Sequence, residues 1–453
     1  MRNHLAILAA KTIQALLRRT GSDGGALPGL IAGKIAPNLS AHLVQQATHG
    51  VVLVAGTNGK TTTTHLLTAM LAKAGLPYIT NRSGSNMARG HLSALLANTT
   101  WRGELMPGYV VLEVDEAVLP QAISSFKPSL VIWNNLFRDQ LDRYGEVDSI
   151  AKKWLEAVRS SLPVESTLLI NADDPLLVAT AQASGHANTL YFGFDSNTVG
   201  SETPSSSLDA FVSPVSGLPL SYTRYYVSHL GNYFDLGSTF KRPPLDFAAS
   251  HITAGTAALP GSFTSGSTFQ IPLPGLYNIY NALAACAAAE ILSVDSTAQA
   301  KGLAQFTGVF GRFERLTVDG QELILTLIKN PAGAGEVVKT ILADPQHSIV
   351  IVAANDNFAD GLDVSWYWDT DFEALAPSVT HLTVTGSRAL DMALRWKYAE
   401  FVGELVIIPE LGKLLKNLPA QQGRTYILAT YTAMLDLQHQ LTLLKIKPAH
   451  WKE

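Results

Sequence analysis

Val51-Val-Leu-Val-Ala-Gly-Thr-Asn-Gly-Lys-Thr-Thr-Thr-Thr64 decides how the chain is read. Five apolar residues, most of them β-branched, predict a buried strand. Gly56 and Gly59 then make a turn, and Lys60 and Thr61 open a helix that runs through Lys73. A strand, a glycine turn and a Lys-Thr helix start form a phosphate cradle. Backbone N–H groups and the helix dipole face the anion, a lysine adds a point charge, and a hydroxyl can hold Mg²⁺. Gly56, Thr57, Asn58, Gly59, Lys60, Thr61 and Thr62 are therefore candidate nucleotide ligands. Val54 stands where the usual P-loop has its first glycine, so this is the Gly-Thr-Asn-Gly-Lys-Thr variant.

On either side of this stretch, short apolar runs at 51–55, 109–114, 130–134 and 167–171 alternate with helical segments. That pattern predicts a parallel sheet with crossover helices. Residues 1–48 read as a helical segment. Its first helix is amphipathic and expected to pack on the domain behind it, with a membrane-surface helix as the lesser reading. Residues 195–270 are dense in Ser, Thr, Pro and Gly. They predict a β-rich or irregular insertion, with strand patches at Tyr225-Tyr-Val227 and Phe269-Gln-Ile271. A second α/β unit is expected from 315 to 453, with strands at 322–328, 348–354, 381–385, 404–408 and 425–429. The expected organisation is thus an N-terminal helical segment (1–48), a P-loop central domain (49–314) and a separate C-terminal α/β domain (315–453).

Composition narrows the function. With 453 residues the chain exceeds one core, and 47% hydrophobic against 15% charged residues excludes a disordered protein. A net charge of −4 leaves no footprint for nucleic acid. One cysteine excludes a disulfide framework and a cysteine-based zinc site. Cys286 lies mid-helix among alanines and reads as a small buried residue.

Acidic clusters follow the predicted strands, where open α/β sheets bind ligands. Glu113 or Glu116 could hold Mg²⁺ opposite Thr61. Asn134 to Gly145 and Asn171-Ala-Asp-Asp-Pro175 follow two further strands. In the C-terminal unit, Asp356, Asp360, Asp363 and Asp369 crowd together with Trp366 and Trp368, which suits a docking or catalytic surface.

The order of these motifs resembles the Mur ligase superfamily, the ATP-dependent amide-forming enzymes of peptidoglycan assembly. The resemblance rests on Gly56 to Thr61, the Glu113 region, Asn135 to Gly145, Asn171 to Pro175, Pro274-Gly-Leu-Tyr-Asn278 with Asn281, and Gly311-Arg-Phe-Glu314. Asn81 to Asn86, Lys329-Asn-Pro-Ala-Gly333 and the run from Asn355 to Trp366 narrow it to the MurT branch, the synthetase subunits of lipid II isoglutaminyl synthase. That resemblance implies ATP-dependent amidation of the D-glutamate α-carboxylate of the lipid II stem peptide through an acyl phosphate. It implies Lys60 on the β/γ-phosphates, Thr61 and Glu113 on Mg²⁺, Asn171 and Asn278 near the adenine, and Arg312 near the ribose and phosphates. Ammonia would come from a GatD-like class I glutamine amidotransferase subunit, and Asp363 would complete that partner's Cys–His pair. The implied location is the cytoplasm, at the inner face of the plasma membrane.

The chain departs from that family's pattern at three places. The four-cysteine zinc ribbon of many MurT chains cannot form, so ATP and Mg²⁺ but no zinc are expected. Asp139-Gln-Leu-Asp142 replaces Asp-His-Leu-Asp, which disfavours a second Mg²⁺ there. Thr326-Leu-Ile-Lys-Asn-Pro331 replaces the Asp-x-x-His-Asn-Pro of amino-acid-adding ligases, which fits ammonia as acceptor. An amino-acid-adding or folylpolyglutamate-type ligase is the alternative enzyme, and a nucleotide-binding scaffold the alternative without chemistry.

Overall fold

The computed structural model describes the whole chain apart from residues 20–24, 82–84, 138–146, 205–211, 251, 253–258, 264–267, 272, 307–310, 319, 417–423 and 447–453. Asp139 to Asp142 and Arg82 to Gly84 fall outside the described residues. Three helices open the chain, α1 (Arg2–Arg19), α2 (Leu27–Ile35) and α3 (Leu39–Val44). Strands and helices then alternate as β1 (Gly50–Ala55), α4 (Lys60–Lys73), β2 (Tyr78–Thr80), α5 (Ala88–Ala97), β3 (Tyr109–Glu113), α6 (Leu119–Phe126), β4 (Leu130–Trp133), α7 (Val147–Ser161), β5 (Thr167–Asn171), α8 (Pro175–Ser184) and β6 (Thr189–Phe194).

These strands pair parallel in the order β2-β3-β1-β4-β5-β6. Every residue of β3 and β4 is buried, because helices cover both faces. One face packs on a core that includes Ala6, Ile7, Ala10 and Leu39 of the N-terminal helices. The predicted N-terminal segment therefore shares its core with the sheet.

The 195–270 stretch supplies a hairpin, β7 (Leu220–Val227) and β8 (Leu230–Asp235), and then β9 (Phe247–Ser250), β10 (Leu259–Phe263) and β11 (Thr268–Ile271). Strand β9 adds parallel to β6, and β10 and β11 continue antiparallel to the edge of a nine-stranded sheet. Helix α9 (Leu276–Ile291) covers the other face with a run from Ala282 to Ala289 that is small apart from Leu283 and all buried, and α10 (Ser296–Ala304) follows. Burial pushes the Cys286 thiol well above its usual range, as suits a small core residue.

The C-terminal unit is a separate six-stranded sheet. It contains β12 (Arg312–Val318), β13 (Gln321–Leu327), α11 (Pro331–Leu342), β14 (His347–Ala353), α12 (Phe372–Leu375), β15 (His381–Thr385), α13 (Ala389–Tyr398), β16 (Glu404–Ile408), β17 (Arg424–Ala429) and α14 (Tyr431–Leu443). Its order is β12-β13-β17-β14-β15-β16, parallel except for β12. The sheet begins at Arg312, a few residues before the boundary read from the sequence.

Candidate active site

The phosphate loop joins the end of β1 to α4 and is held from below by the β4 end. Thr57 N–H donates to the Asn135 carbonyl (2.9 Å), and Asn58 N–H donates to Asn135 Oδ1 (2.8 Å). Gly59 ends the turn at φ +85°, and a Cβ placed there would lie 2.0 Å from Asn281 Oδ1. Only glycine satisfies both the left-handed backbone and the close approach of α9. Gly59→Ala is therefore expected to cost about 1–2 kcal/mol in backbone strain alone, with a further loss from displacing Asn281. A fall in Tm together with weakened nucleotide binding would show this; unchanged nucleotide affinity would mean the loop geometry is not needed.

Two carboxylates close the site. Lys60 Nζ meets Glu116 Oε2 at 3.1 Å, with both side chains buried, and also donates to the Thr57 carbonyl (3.2 Å). Burial acts to raise the Glu116 carboxyl, but Lys60 and Lys329 outweigh it and hold it below its usual range. Glu113 is the opposite case. Burial dominates and raises its carboxyl despite Lys60, a hydrogen bond from Thr61 and the charges of Arg312 and Lys329. The sequence leaves either acid open for Mg²⁺; the structure commits Glu116 to Lys60 and sets Glu113 beside the Thr61 hydroxyl. Glu113 is also fixed through its backbone. Asn81 Oδ1 accepts from its N–H (3.0 Å), and Asn81 Nδ2 (2.9 Å) and His91 Nε2 (2.9 Å) bond its carbonyl.

A cavity of about 680 Å³ including its open mouth lies against the loop, between the two sheet units. Its polar wall includes Asn58, Asn135, Asn281, Arg312 and Lys329; its apolar wall includes Phe137, Val227, Leu230, Tyr277 and Tyr280. Such a mixture suits a base between apolar side chains with phosphates at the polar end. Arg312 reaches the wall from a bulge. The β12–β13 register breaks between Arg312 and Glu314, and Phe313 sits at φ +54°. Val227 and Leu230 flank the β7–β8 turn, which is anchored by His229 against Asp174 (3.4 Å) and by Gly231 N–H on the Asp173 carbonyl (2.9 Å). Asp174 also caps α8 through the N–H groups of Leu176 and Leu177.

Asn171 and Asn278 are placed behind this wall. Asn171 is 0% exposed; its Nδ2 donates to the Asn134 carbonyl (2.9 Å), and its Oδ1 accepts from Asp173 N–H (3.1 Å). Asn278 Nδ2 donates to the Pro274 carbonyl (2.6 Å), and its Oδ1 accepts from Asn281 (3.3 Å). Asn281 is the one of the three that lines the cavity.

Sequence reasoning missed the contact that the C-terminal unit makes with the loop. Lys329 Nζ donates to the Thr57 carbonyl (3.0 Å), and the Asn330 and Asn58 side-chain amides face each other at 3.2 Å. The Lys-Asn-Pro run carried this signal, but nothing local shows which surface it meets. Asn330 also caps α11 through Gly333 N–H, with Pro331 at the first turn.

The C-terminal aspartates separate by environment. Asp356 is held by Arg388 (2.7 Å) and the Ser387 hydroxyl (2.7 Å). Asp360 is buried and accepts from Thr432 N–H (2.7 Å) and Oγ1 (2.6 Å). Asp363 is exposed between Phe358 and Trp368 in the chain, and hydrogen bonds from the Ser365 hydroxyl and from Ser365 N–H (2.9 Å to Oδ1) hold its carboxyl below the usual range. Phe358 and Leu362 beside it are 74% and 60% exposed.

Residues 54–214 match the Mur ligase middle domain family, and residues 327–434 match the MurT ligase C-terminal family. The chain is 34% identical over 444 residues to the lipid II isoglutaminyl synthase (glutamine-hydrolyzing) subunit MurT of Streptococcus pneumoniae R6, covering 97% of both. It is 29% identical to the subunit of the same name from Staphylococcus aureus COL, covering 97% of this chain and 98% of that one. Among solved structures it is similar to a pseudomurein peptide ligase type C from Methanothermus fervidus, with TM-score 0.67 and 21% identity over 88% of this chain and 79% of that one. It is also similar to the MurF ligase of Thermotoga maritima in complex with ADP, with TM-score 0.60 and 17% identity over 91% of this chain and 84% of that one. At these identities the two structures speak for the fold alone.

Proposed function

Because this chain belongs to the MurT family within the Mur ligase superfamily, we propose that it is the synthetase subunit that amidates the D-glutamate α-carboxylate of the lipid II stem peptide. ATP would phosphorylate that carboxylate, and ammonia would displace phosphate from the acyl phosphate to leave D-isoglutamine. The observation that carries this reading is the convergence of Lys60, Arg312 and Lys329 on the buried Glu113, and of Lys60 and Lys329 on the buried Glu116, with Arg312 and Lys329 themselves lining the interdomain cavity. Glu336 also lines the cavity and is paired with Lys339 (2.7 Å), so four cations stand against three carboxylates and leave a positive surplus for a polyphosphate, whose effect burial magnifies.

The residues present fit a bound Mg²⁺. Thr61 and Glu113 are adjacent oxygen donors, and Mg²⁺ prefers few carboxylates plus phosphate oxygens. When bound, the ion would neutralise phosphate charge. The chain's own residues do the rest. The loop amides and Lys60 would hold the phosphates, and the Asn81–His91 clamp keeps Glu113 in place. Lys329 and Asn330 join the C-terminal unit to the loop, which would exclude water. Thr326, in the cavity wall where amino-acid-adding relatives place an acid, fits a neutral acceptor.

We further propose that a GatD-like glutaminase supplies the ammonia. Cys286 is buried in α9 and cannot serve as a glutaminase nucleophile, whereas Asp363 is available to a partner. The reading is tested with purified lipid II, ATP, Mg²⁺ and either ammonium or glutamine plus the glutaminase. Conversion of D-glutamate to D-isoglutamine is expected. ATP turnover that instead attaches an amino acid would favour the alternative ligase.

A further inference from the structure

Helix α1 buries Ala6, Ile7 and Ala10 and turns a second apolar stripe outward. Leu5 and Leu16 are each 55% exposed, with half-buried Leu8 and exposed Thr12 between them, a spacing of 3 or 4 residues that forms one helical face. Thr12 donates its hydroxyl to the Leu8 carbonyl (2.8 Å), which satisfies that donor within the helix. Beside α1, helix α2 exposes Leu27, Leu30 and Lys34 at the same spacing. Trp101 is exposed in the loop whose Gly103 lies against Ile7.

The charge of this face is one-sided. Among the described side chains of α1 and α2, Arg2, Lys11 and Lys34 are basic and none is acidic, in a chain with 33 basic and 37 acidic residues. Glu104, in the Trp101 loop, is offset by Arg102. An outward apolar stripe with basic flanks and no acid in the helix is the pattern of an interfacial helix on an anionic bilayer. No helix among the described residues is long and apolar enough to cross a membrane, so the mode would be surface association.

The face is also coupled to the reaction centre through one helix. On α5, Ser93 accepts from Gln14 of α1 (3.4 Å) and from Gly29 of α2 (2.8 Å), while His91 bonds the Glu113 carbonyl. An enzyme whose carboxylate substrate is carried on the head group of a membrane lipid needs its cleft held near the bilayer. Resting on the lipid II reading above, we propose that the α1–α2 face is a docking surface for an anionic phospholipid bilayer.

The test is vesicle flotation of the full chain on phosphatidylcholine liposomes with and without phosphatidylglycerol. Binding is expected only with phosphatidylglycerol and is expected to weaken with salt. Leu5→Glu/Leu16→Glu should lower binding by more than about ten-fold, while Leu5→Phe/Leu16→Phe should retain it, which separates lost contact from lost fold. Equal binding to both vesicle types, no binding by the unaltered chain, or full binding by the Glu variant would overturn the proposal. So would loss of the glutaminase subunit by the Glu variant without any vesicle binding, since the face would then be a protein interface. Amidation of lipid II in detergent micelles is read separately. If the unaltered chain fails there, the proposed function falls, and the flotation result still decides the membrane face.

Discussion

Lys60→Met is expected to abolish ATP-dependent amidation, with a loss of about a thousand-fold or more in kcat/KM for ATP. Taken alone the substitution is ambiguous, because Lys60 is also the partner of buried Glu116. Removing one member of a buried pair costs about 3–5 kcal/mol, a large share of a typical stability of about 5–15 kcal/mol. Lys329 also faces Glu116 and softens that cost without removing it. The informative protein is therefore Lys60→Met/Glu116→Gln, which deletes both charges in nearly the same volume. It should regain most of the Tm lost by Lys60→Met and none of the activity. Thermal unfolding and ADP release, measured on both proteins, separate the two roles. An active double variant would end the assignment of Lys60 to the phosphates and leave it as the counter-ion of Glu116.

The same pair shows what is legible in a sequence of this kind and what is not. Strand β1 and the start of α4 follow from Val51 to Thr61, since β-branched runs, a glycine turn and a Lys-Thr helix start are local chemistry. Most strand positions of both sheets follow in the same way. The edge strands β2 and β12, the strand β6 and, within the insertion, β8, β9 and β10 are not individually legible. β2 is three residues long, and β12 has a bulge at Phe313 that breaks its alternation. Glu113 and Glu116 were both legible as acids near the loop, but their division of labour was not. It depends on which one meets Lys60, 53 and 56 residues earlier in the chain, and that is set by how β3 and β1 lie in register. Lys329 against Thr57 lies further out of reach, being a contact between two sheet units separated by 272 positions. Asn171 and Asn278 illustrate the reverse error of scale. Their motifs border the cavity, yet their amides are spent on the backbone behind the wall, and Asn281 is the side chain that reaches the cavity.

Asp363→Asn is expected to block glutamine-driven amidation while leaving ammonium-driven amidation near its original rate. Three aspartates of one loop were indistinguishable by spacing, and their surroundings now divide them. Asp356 is neutralised by Arg388, and Asp360 is consumed by Thr432 at the start of α14. Asp363 has its carboxylate at the surface beside exposed Phe358 and Leu362, where a second protein can reach it. A carboxylate that orients a histidine and stabilises its cation is worth up to about 10⁴-fold in rate, and an amide in its place favours the wrong tautomer. The Asn side chain keeps the size of Asp and can still accept the Ser365 N–H, so the loop should hold its shape. Asp360→Asn is the contrasting control. It weakens the bonds to Thr432 in a buried site, at about 1–3 kcal/mol, and should lower Tm and depress both nitrogen sources alike. Initial rates with ammonium and with glutamine plus the glutaminase, taken for both variants, give a ratio that stability alone does not move. If Asp363→Asn loses both activities equally, Asp363 acts within the synthetase site and the partner's histidine is oriented by some other group.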